Sequence, residues 1–273
     1  MNAYRTINEL KYPLGNGSTH PIVGSINGID YVIKTFNNEQ GNKVLINELI
    51  SYNIVKQLEL PIPECELAYI DGTTKIHPNV SNEEWFSDRC NGLAFCSKYR
   101  LDVTVISSSR MIKLADNKEF IIPKILLLDH LLYNKDRNKG NILITNKKGY
   151  KELIIIDHTH VFNLESIWNS FGLKQKIEDE DYKDHWIMES NSFLYSRFLE
   201  AVPVSMIDMK EAVEYFKERL SEEFFLSLKT KIPKVWEQDE EEVDALIEYI
   251  IYRFNQLDYY PNIILSYKYE EVL

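Results

Sequence analysis

The chain's 273 residues are 44% hydrophobic and 12% aromatic, which suits one large domain or two modest lobes with real cores and excludes a disordered polymer. A net charge of −11 argues against a general nucleic-acid binder, which needs basic surface to neutralise phosphates, although a local basic group suffices for ATP. The lack of an apolar run of ~18 residues, of a basic-then-apolar N terminus and of C-x-x-C spacing among Cys65, Cys90 and Cys96 argues against membrane insertion, secretion and a zinc site, and for a cytoplasmic protein.

In chain order, Gly15-Asn16-Gly17-Ser18-Thr19 comes first. Its glycines let backbone amides approach a phosphate closely, and Ser18 and Thr19 add hydroxyl donors. Residues 22–26 and 31–35 read as an antiparallel strand pair around the turn Asn27-Gly28. Lys34 stands inside the second strand, with Ile33 and Thr35 on the opposite face. It is either a solvated edge-strand residue or a buried charge in need of a partner. Residues 44–58 have helical apolar spacing, with Leu45, Leu49, Tyr52 and Val55 on one face. Glu48 interrupts that apolar stretch, so it either pairs with Lys34 or reaches water.

Leu60-Pro61-Ile62-Pro63 stops the helix. Residues 64–70 and 92–97 read as strands, and 71–91 between them as mostly loop. The stretch 98–102 is the expected connection between lobes. There the backbone around Ser97 and Tyr99 would meet an adenine edge between apolar walls.

Residues 123–135 read as a helix, with Asp129 either facing its core side and tying the following loop or solvated. It leads into Asp136-Arg137-Asn138-Lys139-Gly140-Asn141. Residues 142–145 and 153–156 read as strands of a hairpin turning at 146–149. That hairpin would set Asn141, at the start of one strand, beside Asp157, at the end of the other. Asp157 and Asn141 are hard oxygen donors suited to magnesium, which prefers one or two carboxylates plus substrate phosphates. Asp136 could orient an acceptor hydroxyl. The D-x-x-x-x-N spacing with a strand-end Asp is the base and metal arrangement of kinases. Taken alone, the same spacing also fits a solvated turn before a strand-capping Asp. His158 and His160 read as making ordinary polar contacts.

Residues 163–186 are acidic, and the run Glu178-Asp179-Glu180-Asp181 reads as solvated charge. Helices follow at about 191–200, 207–220, 222–229 and 240–257, where Tyr249 is a packing group. The tail from Asp258 has four tyrosines and no motif.

The segments G-N-G-S-T-H-P-I-V, Y-V-I-K-T-F and N-E-L-I-S-Y-N-I-V-K-Q-L, with the later L-L-D-H-L-L-Y-N-K-D-R-N-K-G-N and I-I-I-D-H, resemble bacterial HipA-like kinases of the compact branch. The resemblance is clear over residues 12–162 and loose beyond. It implies an α+β, two-lobed protein-kinase-like fold. Residues 1–96 would form a small β-rich lobe and 97–273 a mostly helical one. It implies ATP and Mg2+ as cofactors and a serine/threonine protein acceptor, with room for an operon-encoded partner protein.

By the same resemblance, Lys34 would contact the phosphates and Glu48 would hold Lys34. Asp136 would be the catalytic aspartate, Asn141 and Asp157 would bind the metal, and residues 15–20 would cover the phosphates. Ser18 and Thr19 are the positions where loop autophosphorylation would fall. The sequence departs from eukaryotic kinases in having Asn134-Lys135-Asp136 for H-R-D, His158-Thr159 after Asp157, and no A-P-E. A small-molecule or lipid kinase and a non-catalytic nucleotide-binding scaffold are the alternatives.

Overall fold

The computed structural model describes residues 4–15, 17–236 and 239–270. Seven strands form the larger sheet: β1 (Arg5–Thr6), β2 (Glu9–Pro13), β3 (Ile22–Ile26), β4 (Ile29–Lys34), β5 (Cys65–Ile70), β6 (Lys75–Ile76) and β7 (Gly92–Lys98). Their order is β1-β5-β7-β4-β3-β2-β6. Helix α1 (Lys43–Gln57) follows β4, and the short α2 (Pro78–Ser81) follows β6.

The β3–β4 hairpin turns at Asn27 and Gly28, whose φ values of 51° and 79° are what a two-residue I′ turn requires. Its register pairs Val23 with Val32 and Ile22 with Ile33. Lys34 therefore shares a face with Val32 and Val23, while Ile33 faces the other way. α1 is buried almost all round, as its continuous apolar sequence requires. It ends in a Schellman turn, with Glu59 left-handed at φ 53° and the Leu60 N–H donating to Val55 O at 3.1 Å.

A second sheet of β8 (Val103–Val105), β9 (Ile142–Thr145) and β10 (Leu153–Ile155) has the order β10-β9-β8. The expected hairpin is β9–β10, with Ile142 opposite Ile155. β8 is an added edge strand that its three residues gave no periodicity to reveal.

The helices that follow β8 are α3 (Ser109–Lys113), α4 (Lys118–Leu131), α5 (Ser170–Glu178), α6 (Trp186–Ser190), α7 (Ser192–Ala201), α8 (Met206–Arg219), α9 (Glu222–Leu228), α10 (Glu240–Phe254) and α11 (Tyr260–Glu270). α4 begins before the expected 123 and carries Pro123 inside it. Every α4 side chain from Ile121 to Leu131 is buried, and that packing outweighs the N–H that Pro123 lacks. α11 replaces the expected motif-free tail, with Pro261 tolerated in its first turn. Among the described residues, no helix is long and apolar enough to cross a membrane.

Two hydrophobic clusters hold the fold. The smaller lies on one face of the larger sheet around Ile7, Leu10, Ile33, Ala94 and Cys96. The larger joins α1, Leu93 and Phe95 to α4, α8 and α10. The expected 96/97 boundary thus falls within β7, and the larger cluster runs across it. Trp236, fully enclosed, donates its indole N–H to Leu93 O at 2.8 Å, a further tie across that line.

Candidate active site

β4 delivers Lys34 to the face that α1 covers, and one helical turn into α1 stands Glu48. Lys34 Nζ donates to Glu48 Oε1, to Thr159 Oγ1 and, at 2.8 Å, to Asp157 Oδ1. The side chains of Lys34 and Glu48 are 8% and 6% exposed, whereas that of Asp157 is 35% exposed. Glu48 therefore faces protein, and Asp157 presents its carboxylate to the cleft. Burial opposes the charge on Lys34, yet Asp157 and Glu48 outweigh it and hold the ammonium above its ordinary pKa. Burial also opposes ionisation of Asp157, and Lys34 reverses it, leaving the carboxyl below its usual range. In Glu48 burial wins and pushes the carboxyl up.

Asp157, two residues past β10, is left-handed with φ 58°, a strained geometry for a non-glycine residue. Next to it, Ile156 N donates to Asn141 O at 3.1 Å, which brings Asn141 beside Asp157. Asn141 Nδ2 donates to the Asp136 carbonyl at 2.6 Å, so its Oδ1 is the atom left for a cation. Asp136, half-buried, is held by Asn138 Nδ2 at 2.9 Å and by its own N–H to Asn134 Oδ1 at 3.0 Å.

A sealed network fixes this loop from behind. Arg137 and Asp129 are essentially unexposed. Arg137 donates to both Asp129 oxygens, with Nη2 at 2.8 Å. It also reaches the carbonyls of Asn141 (3.4 Å) and Ile156 (3.1 Å), one on each side of the metal-ligand candidates. Asn134 and Tyr195 complete Asp129 at 2.9 Å each. Arg137 Nη2 donates to His158 Nε2 at 3.1 Å. Burial, reinforced by Arg137, drives the His158 pKa far down, so the ring is neutral and can accept.

The loop between β2 and β3 lies across the cleft. Ser18 Oγ is 3.1 Å from His160 Nε2, and the Glu165 carboxylate is 3.3 Å from that ring's Nδ1. Ser18 is exposed and Thr19 buried, and Gly17 has φ 122°. Asn16 lies outside the described residues. A Cβ at Gly15 would meet nothing within 4 Å, so this backbone is open to approach.

Ser97 pairs with both Val32 and Cys65 inside the sheet. The Tyr99 N–H donates to Asp30 O at 2.9 Å, so it is not a free donor for an adenine edge. Val23 and Ile154 are buried yet belong to neither hydrophobic cluster. Each sits on the cleft-side face of its sheet, Val23 with Val32 and Ile154 opposite Leu143.

Sequence reasoning missed three contributors here: Thr159, Asn47 and the depth of Arg137. Thr159 Oγ1 reaches Glu48 at 3.0 Å and Asp157 at 2.8 Å. Asn47, beside Glu48 and fully buried, is a polar side chain in an apolar run, and such a group must be hydrogen-bonded. That was the available signal. Asp181, expected to be solvated, is buried instead and paired with Arg253 at 2.7 Å.

Among the described residues, no group of three His, Cys, Asp or Glu side chains forms a metal cage. The donors present, one cleft-facing carboxylate and one amide oxygen, fit a magnesium ion completed by phosphate oxygens.

A lysine clasped between a helix glutamate and a strand-end aspartate, beside a D-x-x-x-x-N loop, on this α+β framework, defines a protein-kinase-like phosphotransferase. A model of the HipA-like kinase family matches residues 7–259, and the chain belongs to that family. No curated protein matches the sequence. Among solved structures, the Helicobacter pylori proinflammatory kinase CtkA aligns with TM-score 0.58 and 12% identity, covering 95% of this chain and 98% of that one. A golgi casein kinase aligns with TM-score 0.55 and 12% identity, covering 96% and 72%. HipA of Shewanella oneidensis, in its complex with HipB and operator DNA, aligns with TM-score 0.46 and 11% identity, covering 94% and 67%.

Proposed function

We propose that the chain is an ATP- and magnesium-dependent serine/threonine protein kinase, with residues 1–96 and 97–273 as its two lobes. The observation that carries this reading is the Lys34 ammonium held between Glu48 and the cleft-facing Asp157, at 2.8 Å from the latter, with Asn141 just before the neighbouring strand β9. Lys34 exchanges its bond to Asp157 for the nucleotide phosphates, while Glu48 keeps it in place. Asp157 and Asn141 Oδ1 hold the magnesium, which when bound neutralises phosphate charge. Backbone amides of Gly15, Gly17, Ser18 and Thr19 cover the phosphates, with Ser18 and Thr19 as hydroxyl donors. Adenine lies between Val23 and Val32 above and Leu143 and Ile154 below.

Asp136 accepts the proton of the acceptor hydroxyl as its oxygen bonds to the γ-phosphorus and the bond to the ADP oxygen breaks. Catalysis is then positioning and charge neutralisation, as phosphoryl transfer requires. Incubation with Mg-ATP and a serine/threonine peptide library, read by intact mass, tests it. The parent is expected to transfer phosphate. Asp136→Ala is expected to bind nucleotide as the parent does and to transfer at least ~10²-fold more slowly. Transfer retained in the variant removes Asp136 from its role. Transfer by the parent to small alcohols but not to peptides sinks the protein acceptor.

A further inference from the structure

The segment after β10 is stitched to α1 by a side chain that touches no reacting group. Asn47 is fully buried, and both its N–H donors and its carbonyl oxygen are engaged by this segment. Its Nδ2 donates to Thr159 O at 2.7 Å and to Glu165 O at 2.9 Å. Its Oδ1 accepts the Trp168 indole N–H at 2.9 Å. One turn earlier, Lys43 donates to Trp168 O, lies 4.5 Å from that ring's centroid, and pairs with Glu242 of α10 at 2.8 Å. On the following residue, Glu48 Oε1 accepts the His158 N–H at 3.1 Å.

The segment so held is strained. Asp157, Phe162, Asn163 and Glu165 have φ values of 58°, 67°, 61° and 57°. Left-handed non-glycine residues persist where the surroundings over-determine them. Two of the three Asn47 partners, Thr159 and Glu165, lie within or next to that strained run. The same run carries Asp157 into the cleft and His160 to Ser18.

We infer that Asn47 is a positioning residue: it clamps segment 157–168 to α1, so that Asp157 and the Lys34–Glu48 pair keep one relative geometry. The catalytic part of this inference rests on the kinase reading above; the clamp itself does not. Hydrogen exchange of the nucleotide-free full chain reads the clamp directly. Asn47→Ala is expected to raise exchange in residues 157–168 at least ~10-fold and to leave α8 unchanged. Trp168→Phe removes one of the three bonds, keeps an aromatic ring, and should give a smaller rise at the same residues. This gentler variant decides the matter if Asn47→Ala does not fold.

Unchanged exchange in 157–168 in a folded variant overturns the clamp. Kinetics then separate positioning from stability. Misplacing Asp157 raises the KM for Mg-ATP ~10-fold or more in folded enzyme. A merely structural loss lowers kcat through fewer folded molecules and leaves KM where it was, and that pattern overturns the positioning role. If the parent shows no phosphotransfer, the kinase reading fails, and exchange still decides the clamp.

Discussion

Two buried charge clusters lie a few residues apart in this molecule and are built on opposite plans. In Asp129–Arg137, one anion meets one cation, both side chains 0% exposed. Asn134, Tyr195 and two carbonyls satisfy what the pair leaves over. In Lys34–Glu48–Asp157, one cation serves two carboxylates, and the second is 35% exposed toward the cleft. The first cluster is complete in itself and positions backbone. The second sets two carboxyl groups against one ammonium and leaves an oxygen of Asp157 accessible from the cleft. Buried charge is costly to remove from water unless paired, and the uneven pairing is what the proposed metal site would use.

Substitutions should therefore affect the two clusters differently. Asp157→Asn removes the cleft-facing carboxylate and leaves the Lys34–Glu48 pair in place. We expect at least ~10³-fold lower phosphotransfer with a loss of thermal stability smaller than that of Asp129→Ala, checked by transfer rate beside a melting curve. A fall in stability comparable to that of a core variant would erase the distinction. Asp129→Ala leaves the Arg137 guanidinium buried and uncompensated. It should cost about 3–5 kcal/mol of stability, read by denaturant unfolding, and a loss under ~1 kcal/mol would show the sealed cluster to be dispensable.

pH separates the clusters more gently. Burial pushes the His130 imidazole down to about 3, against a hydrogen bond to Leu126 O. Burial and Arg137 drive His158 well below its ordinary value. In the unfolded chain both titrate near ~6.5, so below that pH the unfolded state binds more protons. Their contribution is fully present above ~6.5 and is lost as pH falls toward the folded values, by about 2 kcal/mol between pH ~6 and ~5. Lys34, held high, and Asp157, held low, keep their charges throughout that window. Unfolding free energies that stay flat across it would contradict the neutral, buried state of these rings.

The same contrast explains what could be read from the chain alone. Lys34 and Glu48 stand out because a charge interrupts an apolar strand and an apolar helix, and period arguments see such interruptions. Asn141 and Asp157 come together through a short hairpin, a local device with local turn residues. Asn47 is as anomalous in its helix as Glu48, but its partners lie 112, 118 and 121 positions away. Nothing in the local pattern points to them. Asp181 was hidden by its acidic neighbours, since burial against Arg253 depends on where α10 packs. Helix α11 was hidden by tyrosines, which fit a buried helix or an irregular tail equally well.

On the proposed function, the Lys34–Glu48–Asp157 cluster is a magnesium–nucleotide site. Calorimetric titration of the parent and of Asp157→Asn with a non-hydrolysable ATP analogue, with and without magnesium, tests it most directly. The account predicts that magnesium tightens binding to the parent by ~10-fold or more and does little for Asp157→Asn. A parent that binds no nucleotide, or a magnesium effect that survives Asp157→Asn, would contradict it.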